Sequence, residues 1–302
     1  MKKYFLITFL FFFAFFANAQ QDPQFSQYMF NQLYVNPAYA GSSDAICATA
    51  LNRVQWAGFE GAPSTTNLSV HSPVQLLNGG LGLNILTDAI AQNQFTGINL
   101  SYAYRTELSQ GKLGIGVSVG MLQDGVEGGN YVIGEQGDPV IPTSEEKSAG
   151  FDLGFGLYYN SDKMYVGLSS RHLNEASLVD SKGLIELKRH YYLMAGYIHT
   201  LSSEFDLKPS ILVKSEGVTT TLDVSSIVEY NNKLWGGVSL RPSYGAVLLF
   251  GTHINKDLKF GFSYDLPISK VSGAGSLEFM LGYCFQIDYN KVAKGFKNPR
   301  FL

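Results

Sequence analysis

Five histidines, two cysteines and eight scattered charges are the side chains of this 302-residue chain with which chemistry could be done. His71, His172, His190, His199 and His253 lie far apart and lack the short intervals at which a finger or helix presents metal ligands. Two of them follow arginines, as Arg171-His172 and Arg189-His190, at the two ends of one long connection, and they read as a charged loop base. Gly114-Ile-Gly116-Val-Ser-Val-Gly120 misses the dinucleotide-binding spacing by one residue and lies inside an alternating run, not at a strand-to-helix turn. Gly125 to Gly129 has no phosphate-binding Lys-Ser/Thr beyond it, and Asn67-Leu-Ser69 and Asn99-Leu-Ser101 are chance glycosylation patterns inside strands. The chain reads as a protein that is not an enzyme, with no cofactor, no metal and no catalytic residues. It has no basic patch that would suit nucleic acid.

The element that must position these side chains is clearest in Lys112–Met121. Leu113, Ile115, Val117, Val119 and Met121 alternate with Gly114, Gly116, Ser118 and Gly120. Successive strand residues point to opposite faces, so this run has one wholly apolar face backed by one of small residues. An apolar outside and a bare inside describe the wall of a transmembrane β-barrel. From Ala45 onward about fourteen such segments follow: 45–56, 65–74, 79–87, 94–106, 112–122, 149–160, 163–171, 190–200, 205–215, 218–230, 233–241, 244–254, 258–267 and 276–289. Most have the length a tilted strand needs to cross a bilayer.

The connections sort by parity. Those after even segments are brief, whereas the long ones, Gln123–Ser148, His172–Arg189 and Ile268–Gly275, all follow odd segments. Outer-membrane barrels have short periplasmic turns and longer outer loops, so the expected fold is an all-β, closed antiparallel barrel with both termini periplasmic. Tyr104, Tyr159, Tyr165, Tyr230, Trp235 and Tyr289 fall at the short-turn ends, and Trp56, Phe95, Tyr191, Tyr192 and Tyr244 near the others, the expected aromatic girdles.

Composition agrees. Only 16% of residues are charged and 14% are aromatic, with 32 glycines and 18 tyrosines. Lys2 and Lys3, an apolar run from Tyr4 to Phe16 and Ala17-Asn18-Ala19 read as a signal peptide, 1–19, cleaved after Ala19. The remaining order is an N-terminal periplasmic segment 20–44, the barrel 45–289 and a C-terminal periplasmic tail 290–302. Export of such a chain leads to a bacterial outer membrane.

Parity also places Arg53, Arg105, Asp152, Asp223, Glu229, Arg241, Asp265 and Glu278 on the inward face, where mixed signs can pair; on the lipid face each would cost up to a few kcal/mol. Phe25, Tyr28, Met29, Asn36, Pro37 and Tyr39 of the polar-aromatic leader are candidates for packing at the periplasmic mouth, as a plug or docking platform, since the bare face of Gly114, Gly116 and Gly120 leaves room for an inserted segment. Cys47 and Cys284 lie in the first and last segments, which closure makes neighbours; a disulfide there requires Cα atoms roughly 4.4–6.8 Å apart.

Several stretches resemble the PorP/SprF family of the type IX secretion and gliding machinery: Gln21-Asp-Pro-Gln-Phe-Ser-Gln-Tyr-Met29, Asn36-Pro-Ala-Tyr-Ala-Gly41, Arg53-Val-Gln-Trp-Ala-Gly-Phe-Glu-Gly-Ala-Pro63, Gly261-Phe-Ser-Tyr-Asp265 and Lys297-Asn-Pro-Arg-Phe301. The chain departs from the family at Ser276-Leu-Glu278, where relatives tend to carry Ser-His-Glu. The resemblance implies an outer-membrane accessory that supports export or surface anchoring of large cargo or adhesin proteins with a C-terminal signal domain. Implied partners are that cargo and periplasmic components of the machinery, including peptidoglycan-linked ones, beside the membrane lipid itself. The alternative, favoured by fold alone, is a passive porin or a transporter of small or hydrophobic molecules.

Overall fold

The computed structural model describes residues 22–43, 45–126, 146–180, 183–242, 244–267 and 275–286. Fourteen strands form the wall: β1 Ala45–Val54, β2 Ser64–Val74, β3 Gly79–Ile90, β4 Asn93–Leu108, β5 Gly111–Val126, β6 Glu146–Ser161, β7 Met164–Arg171, β8 His190–Tyr197, β9 Phe205–Ser215, β10 Thr220–Tyr230, β11 Leu234–Arg241, β12 Gly245–His253, β13 Leu258–Pro267 and β14 Ser276–Gln286. Each pairs antiparallel with its chain neighbours, and β1 closes on β14 with Ala45 opposite Gln286 and Val54 opposite Leu277. Closure leaves no open edge, so the wall can stand in hydrocarbon with its backbone groups paired.

The alternation sorts side chains as the sequence requires. Ile115, Val117, Val119 and Met121 project outward and are exposed, as are Leu153, Phe155 and Leu157 on β6 and Phe279, Leu281, Tyr283 and Phe285 on β14. This apolar exposure runs around the whole cylinder, far beyond what a water-soluble surface carries. No helix among the described residues is long and apolar enough to cross a membrane; the crossing is made by strands.

Differences from the expected segments are local. β4, β5 and β6 are each 16 residues long, enough to project past the bilayer on the long-connection side. The eighth segment breaks at Ile198, whose N–H turns to the Lys163 carbonyl, and only His199–Thr200 continue the ladder. The 172–189 connection is no free loop. It folds into a hairpin, Ser177–Asp180 against Gly183–Glu186, and buries Leu178 and Leu187 on Leu122. Residues 287–289 of the last expected segment, the tail 290–302 and the signal segment 1–19 lie outside the described residues, as do most of the two other long connections.

The leader is the larger surprise. Residues 22–43 thread the barrel interior as a series of single turns: a 3-10 turn at Tyr28–Phe30, one α-turn at Gln32–Val35 and another 3-10 turn at Pro37–Tyr39. Asn36 starts the last one, its side chain accepting the Ala38 N–H while proline fills the first position. Asp22 lies at the long-connection end, beside Arg171, His172 and Lys214. Gly41 lies at the short-turn end, against Gly80. The segment therefore fills the lumen along its height. The expectation of a periplasmic segment on the mouth underestimates its depth: a run without period 2 cannot join the wall, and its polar groups find partners on the charged interior.

Cys47 and Cys284 stand directly opposite each other on β1 and β14 and are joined by a disulfide, their Cα atoms 4.1 Å apart, slightly closer than the expected span. In denatured, unreduced protein both sulfurs should resist maleimide, and Cys47→Ser should free one thiol. Reduction should lower the free energy of unfolding by roughly 2–4 kcal/mol. Two reactive thiols in the unreduced native chain would refute this seam.

Candidate functional site

The site is the interface between the leader and the inner wall. Its apolar part joins Phe25, Tyr28, Tyr34, Val35 and Ala38 of the leader to Leu51, Leu86, Tyr158, Tyr192, Met194, Leu212, Ile227, Trp235, Val247, Leu249 and Met280. Those wall residues come from β1, β3, β6, β8, β9, β10, β11, β12 and β14, so the leader is gripped from almost every side. Phe25 meets Tyr34 edge-on with ring centroids 5.1 Å apart, which holds the start of the leader against the α-turn.

On one side the wall makes room by carrying no side chains. A Cβ on Gly116 would stand 2.3 Å from the Ala38 nitrogen, one on Gly156 2.0 Å from the Asn36 amide oxygen, and one on Gly80 2.3 Å from Gly41. Gly114 faces the Ala38 carbonyl in the same way, whereas Gly120 is covered by the wall's own Asn99. Asn36, fully buried, donates its amide to the carbonyls of Leu157 at 2.9 Å and Leu168 at 3.3 Å. Asn31 donates to Asn67, which together with Ser69 and Asn84 forms an inward amide cluster.

On the opposite side the wall is charged. Both Glu278 oxygens accept leader N–H groups, Ser26 and Gln27, each at 2.8 Å. Arg53, 2% exposed, pairs with Asp265 and with Glu278 at 3.3 Å and donates to the Ser26 hydroxyl at 3.0 Å. That hydroxyl donates in turn to Asp265. Arg241 links Asp265 to Asp223, and Gln24 donates to Asp223. Backbone donors sealed from water need acceptors, and here a wall carboxylate supplies them.

A second clasp holds the start of the leader. The Asp22 carboxylate accepts from Arg171 at 2.9 Å and from the Tyr192 hydroxyl at 2.5 Å, and it meets His172 Nε2 at 2.9 Å. Lys214 donates to the Asp22 carbonyl and His190 Nε2 accepts its N–H. Burial alone would push the Asp22 carboxyl up; Arg171 and the neighbouring His172 hold it well below the usual carboxylate range instead.

The candidate residues divide as follows. Phe25, Tyr28, Asn36 and Pro37 are buried in the lumen, with Met29 and Tyr39 half-buried against the same cluster. Arg53, Asp152, Asp223, Glu229, Arg241, Asp265 and Glu278 are buried inside the barrel, and half-buried Arg105 reaches Asn160. Of these charges, Arg53, Asp223, Arg241, Asp265 and Glu278 converge on the leader, and Arg105 donates to its Ala38 carbonyl. Asp152 holds His172, and Glu229 pairs with Lys208 and His253 near the short turns. There, a cavity of about 380 Å³ is lined by Phe30, Tyr158, Tyr165, Trp235 and Lys259 among others. The girdle reading needs correction at Tyr192 and Trp235, which are buried inward, and at Tyr165 and Phe95, which pack on interior clusters. Position along a strand gives height, but parity gives the face. Asp22, Ser26, Gln27, Gln32 and Tyr34 were not among the candidate site residues; their signals were the density of polar and aromatic residues in an aperiodic leader and, for the first three, a place in the stretch Gln21–Met29 that carries the family resemblance.

A closed wall with an apolar outside and an interior filled by its own leader defines an outer-membrane β-barrel with a luminal plug. The chain belongs to the family described as type IX secretion system membrane protein PorP/SprF, whose profile matches residues 17–283. It is a membrane protein associated with that secretion system, and its location is the outer membrane. No curated protein matches the chain. Among solved structures it is similar to the Ralstonia pickettii toluene transporter TbuX, at 12% identity and a TM-score of 0.52 over 84% of this chain and 92% of that one. It is also similar to the CymD monoaromatic hydrocarbon channel, at 12% identity and a TM-score of 0.50 over 85% and 93%. Likeness at this identity establishes the barrel fold alone.

Two predictions follow from the grip. Arg53→Ala leaves Asp265 and Glu278 buried without their shared cation and should cost roughly 3–5 kcal/mol in urea unfolding from detergent; a loss under about 1 kcal/mol would show the pair to be solvated. Gly116→Val should displace Pro37–Tyr39 and speed hydrogen exchange across Phe25–Gly41 while the wall strands stay protected. Native protein already unprotected over that stretch would contradict the packing.

Proposed function

We propose that this barrel is an accessory of a type IX-like secretion system, supporting export or surface anchoring of large cargo or adhesin proteins with a C-terminal signal domain. Its other partners are periplasmic components of that machinery, including peptidoglycan-linked ones. Family membership supplies the system, and the luminal plug is the observation that favours an accessory over a pore. A passive porin works through a water-filled lumen. Here an apolar cluster bridges leader and wall at mid-height, and ion pairs lock the leader above it. Such an interior suits a platform whose surfaces, at either end of the cylinder, hold other proteins.

The second reading, a transporter of small hydrophobic molecules, is favoured by the aromatic cavity at the short-turn end. In-cell photocrosslinking separates the two. A crosslinker placed on the exposed side of the 177–186 hairpin should capture a large surface protein under the secretion reading. Absence of any protein adduct, together with a solute-uptake defect on deletion of the chain, would support the transporter instead.

A further inference from the structure

The leader does not fill the lumen evenly. It lies close against the bare wall at Gly80 and Gly116. Toward β7 to β13, near the short turns, it leaves the cavity of about 380 Å³. The β8–β9 ladder lapses beside that cavity: pairing stops at Gly196 with Ser210 and resumes only at His199 with Leu207. Ile198 and Pro209 stand in the gap, and both line the cavity. Ile198 gives its N–H to the Lys163 carbonyl and Pro209 has none to give, so the gap leaves neither with an unmet donor. Exposed Lys163 and half-buried Ser42 and Ser43 belong to the lining, so the cavity opens at the short-turn end.

Its walls are apolar and aromatic, with one charge left over. Phe30 tilts against Trp235 with ring centroids 4.7 Å apart, and Tyr158 stacks on Tyr165 at 6.1 Å. Lys208 and His253 both pair with Glu229. Lys259 has no such partner. Among the described residues its ammonium makes no ion pair or hydrogen bond, and the charge that bears on it is a second ammonium, Lys208. The Lys259 stem lies over Gly282, and its ammonium stands 5.1 Å from the centre of the Phe30 ring. The ring face steadies this cation but does not neutralise it. Trp235 adds a second donor: it is 4% exposed, and its indole N–H has no acceptor among the described residues.

Charge and walls together define what fits. A neutral hydrocarbon would cover the rings yet shut the Lys259 ammonium away from water without an anion, which is costly. A phosphate would bring the charge, but one free ammonium among apolar walls gives its oxygens too few donors. We propose that this cavity binds a small organic monocarboxylate, its carboxylate on Lys259 and its apolar or aromatic body against Phe30, Tyr158, Tyr165 and Trp235. The volume lies within the usual range of small-ligand sites, about 300–1,000 Å³. The inference goes beyond both functional readings of the barrel, because occupancy needs only the opening at the short-turn end and no passage past the leader.

The test uses the full mature chain in a neutral detergent, with phenylbutyrate as probe, phenylbutanol as its uncharged counterpart and inorganic phosphate as competitor. The chain has 2 tryptophans, so Trp56→Phe leaves the emission of Trp235 to report occupancy, with calorimetry beside it. One phenylbutyrate per chain is expected, with phenylbutanol bound at least about tenfold more weakly. Lys259→Met keeps the stem and should weaken phenylbutyrate at least about tenfold, while phenylbutanol binds no less tightly than before. Phe30→Ala should weaken both. Heat-modifiable migration checks that each variant is folded, and partition into micelles is common to all of them. Absence of saturable binding by either method, or equal binding of acid and alcohol by the native chain, overturns the site. Unchanged phenylbutyrate binding by folded Lys259→Met does the same. Displacement of phenylbutyrate by an equal concentration of phosphate would show a plain anion site and overturn it likewise.

Discussion

Glu278 presents both carboxyl oxygens as acceptors inside a membrane protein, and the interior is arranged around them. Its two oxygens are spent on the N–H groups of Ser26 and Gln27 and on Arg53. Withdraw the leader and the carboxylate loses two charge-assisted hydrogen bonds; withdraw Arg53 and it loses its counter-ion. Neither the wall nor the leader is electrically complete alone. Leaving one such buried partner unpaired costs more than forming the pair gains, so the assembled state is favoured chiefly by how poor the alternatives are.

The inner wall meets the leader with two different chemistries. Along β3, β5 and β6 it offers glycines, so that backbone lies against backbone at Gly80 and Gly116, and Gly156 admits the Asn36 side chain. Along β7 to β14 it offers Met194, Leu212, Ile227 and Trp235, interspersed with Arg171, Lys214, Asp223, Arg241, Asp265 and Glu278. The bare side fixes how closely the leader approaches, and the charged side fixes its register, since hydrogen bonds tolerate less sliding than apolar contact. This division accounts for a leader built from three single turns instead of one helix.

Most of the wall was legible because its cause is local. Alternation in Lys112–Met121 fixes strand, face and inward parity together, and the inward placement of Arg53, Asp265 and Glu278 follows from counting by twos. The adjacency of Cys47 and Cys284 follows from closure. What local pattern does not encode is which inward residues meet. His172 and His190 looked like two ends of a loop, yet a folded hairpin and a strand pair bring their rings together over Asp22. Tyr192 and Trp235 looked like girdle residues because both interfaces and plugged interiors favour amphipathic rings, and height along a strand does not tell them apart. The leader's depth was hidden for a related reason: an aperiodic stretch carries no geometric signal, and only the unfilled glycine face hinted that something must cover it.

The seam between the first and last strands ties these observations together. Cys47 faces Cys284 near its short-turn end, and Arg53 faces Glu278 toward the other, in one continuous register. The leader's Ser26 and Gln27 dock on that second pair. Glu278 can hold both N–H groups against Arg53 only once β14 lies beside β1, so the leader's strongest polar anchor exists only in the closed barrel. Conversely, a leader already lodged on Glu278 supplies donors that would be lost if β14 separated from β1. Leader docking and seam closure are therefore linked equilibria, each raising the stability of the other by the same free energy. Anything that draws the leader out of the lumen acts on the seam as well, and the disulfide keeps that seam shut while the luminal contacts exchange.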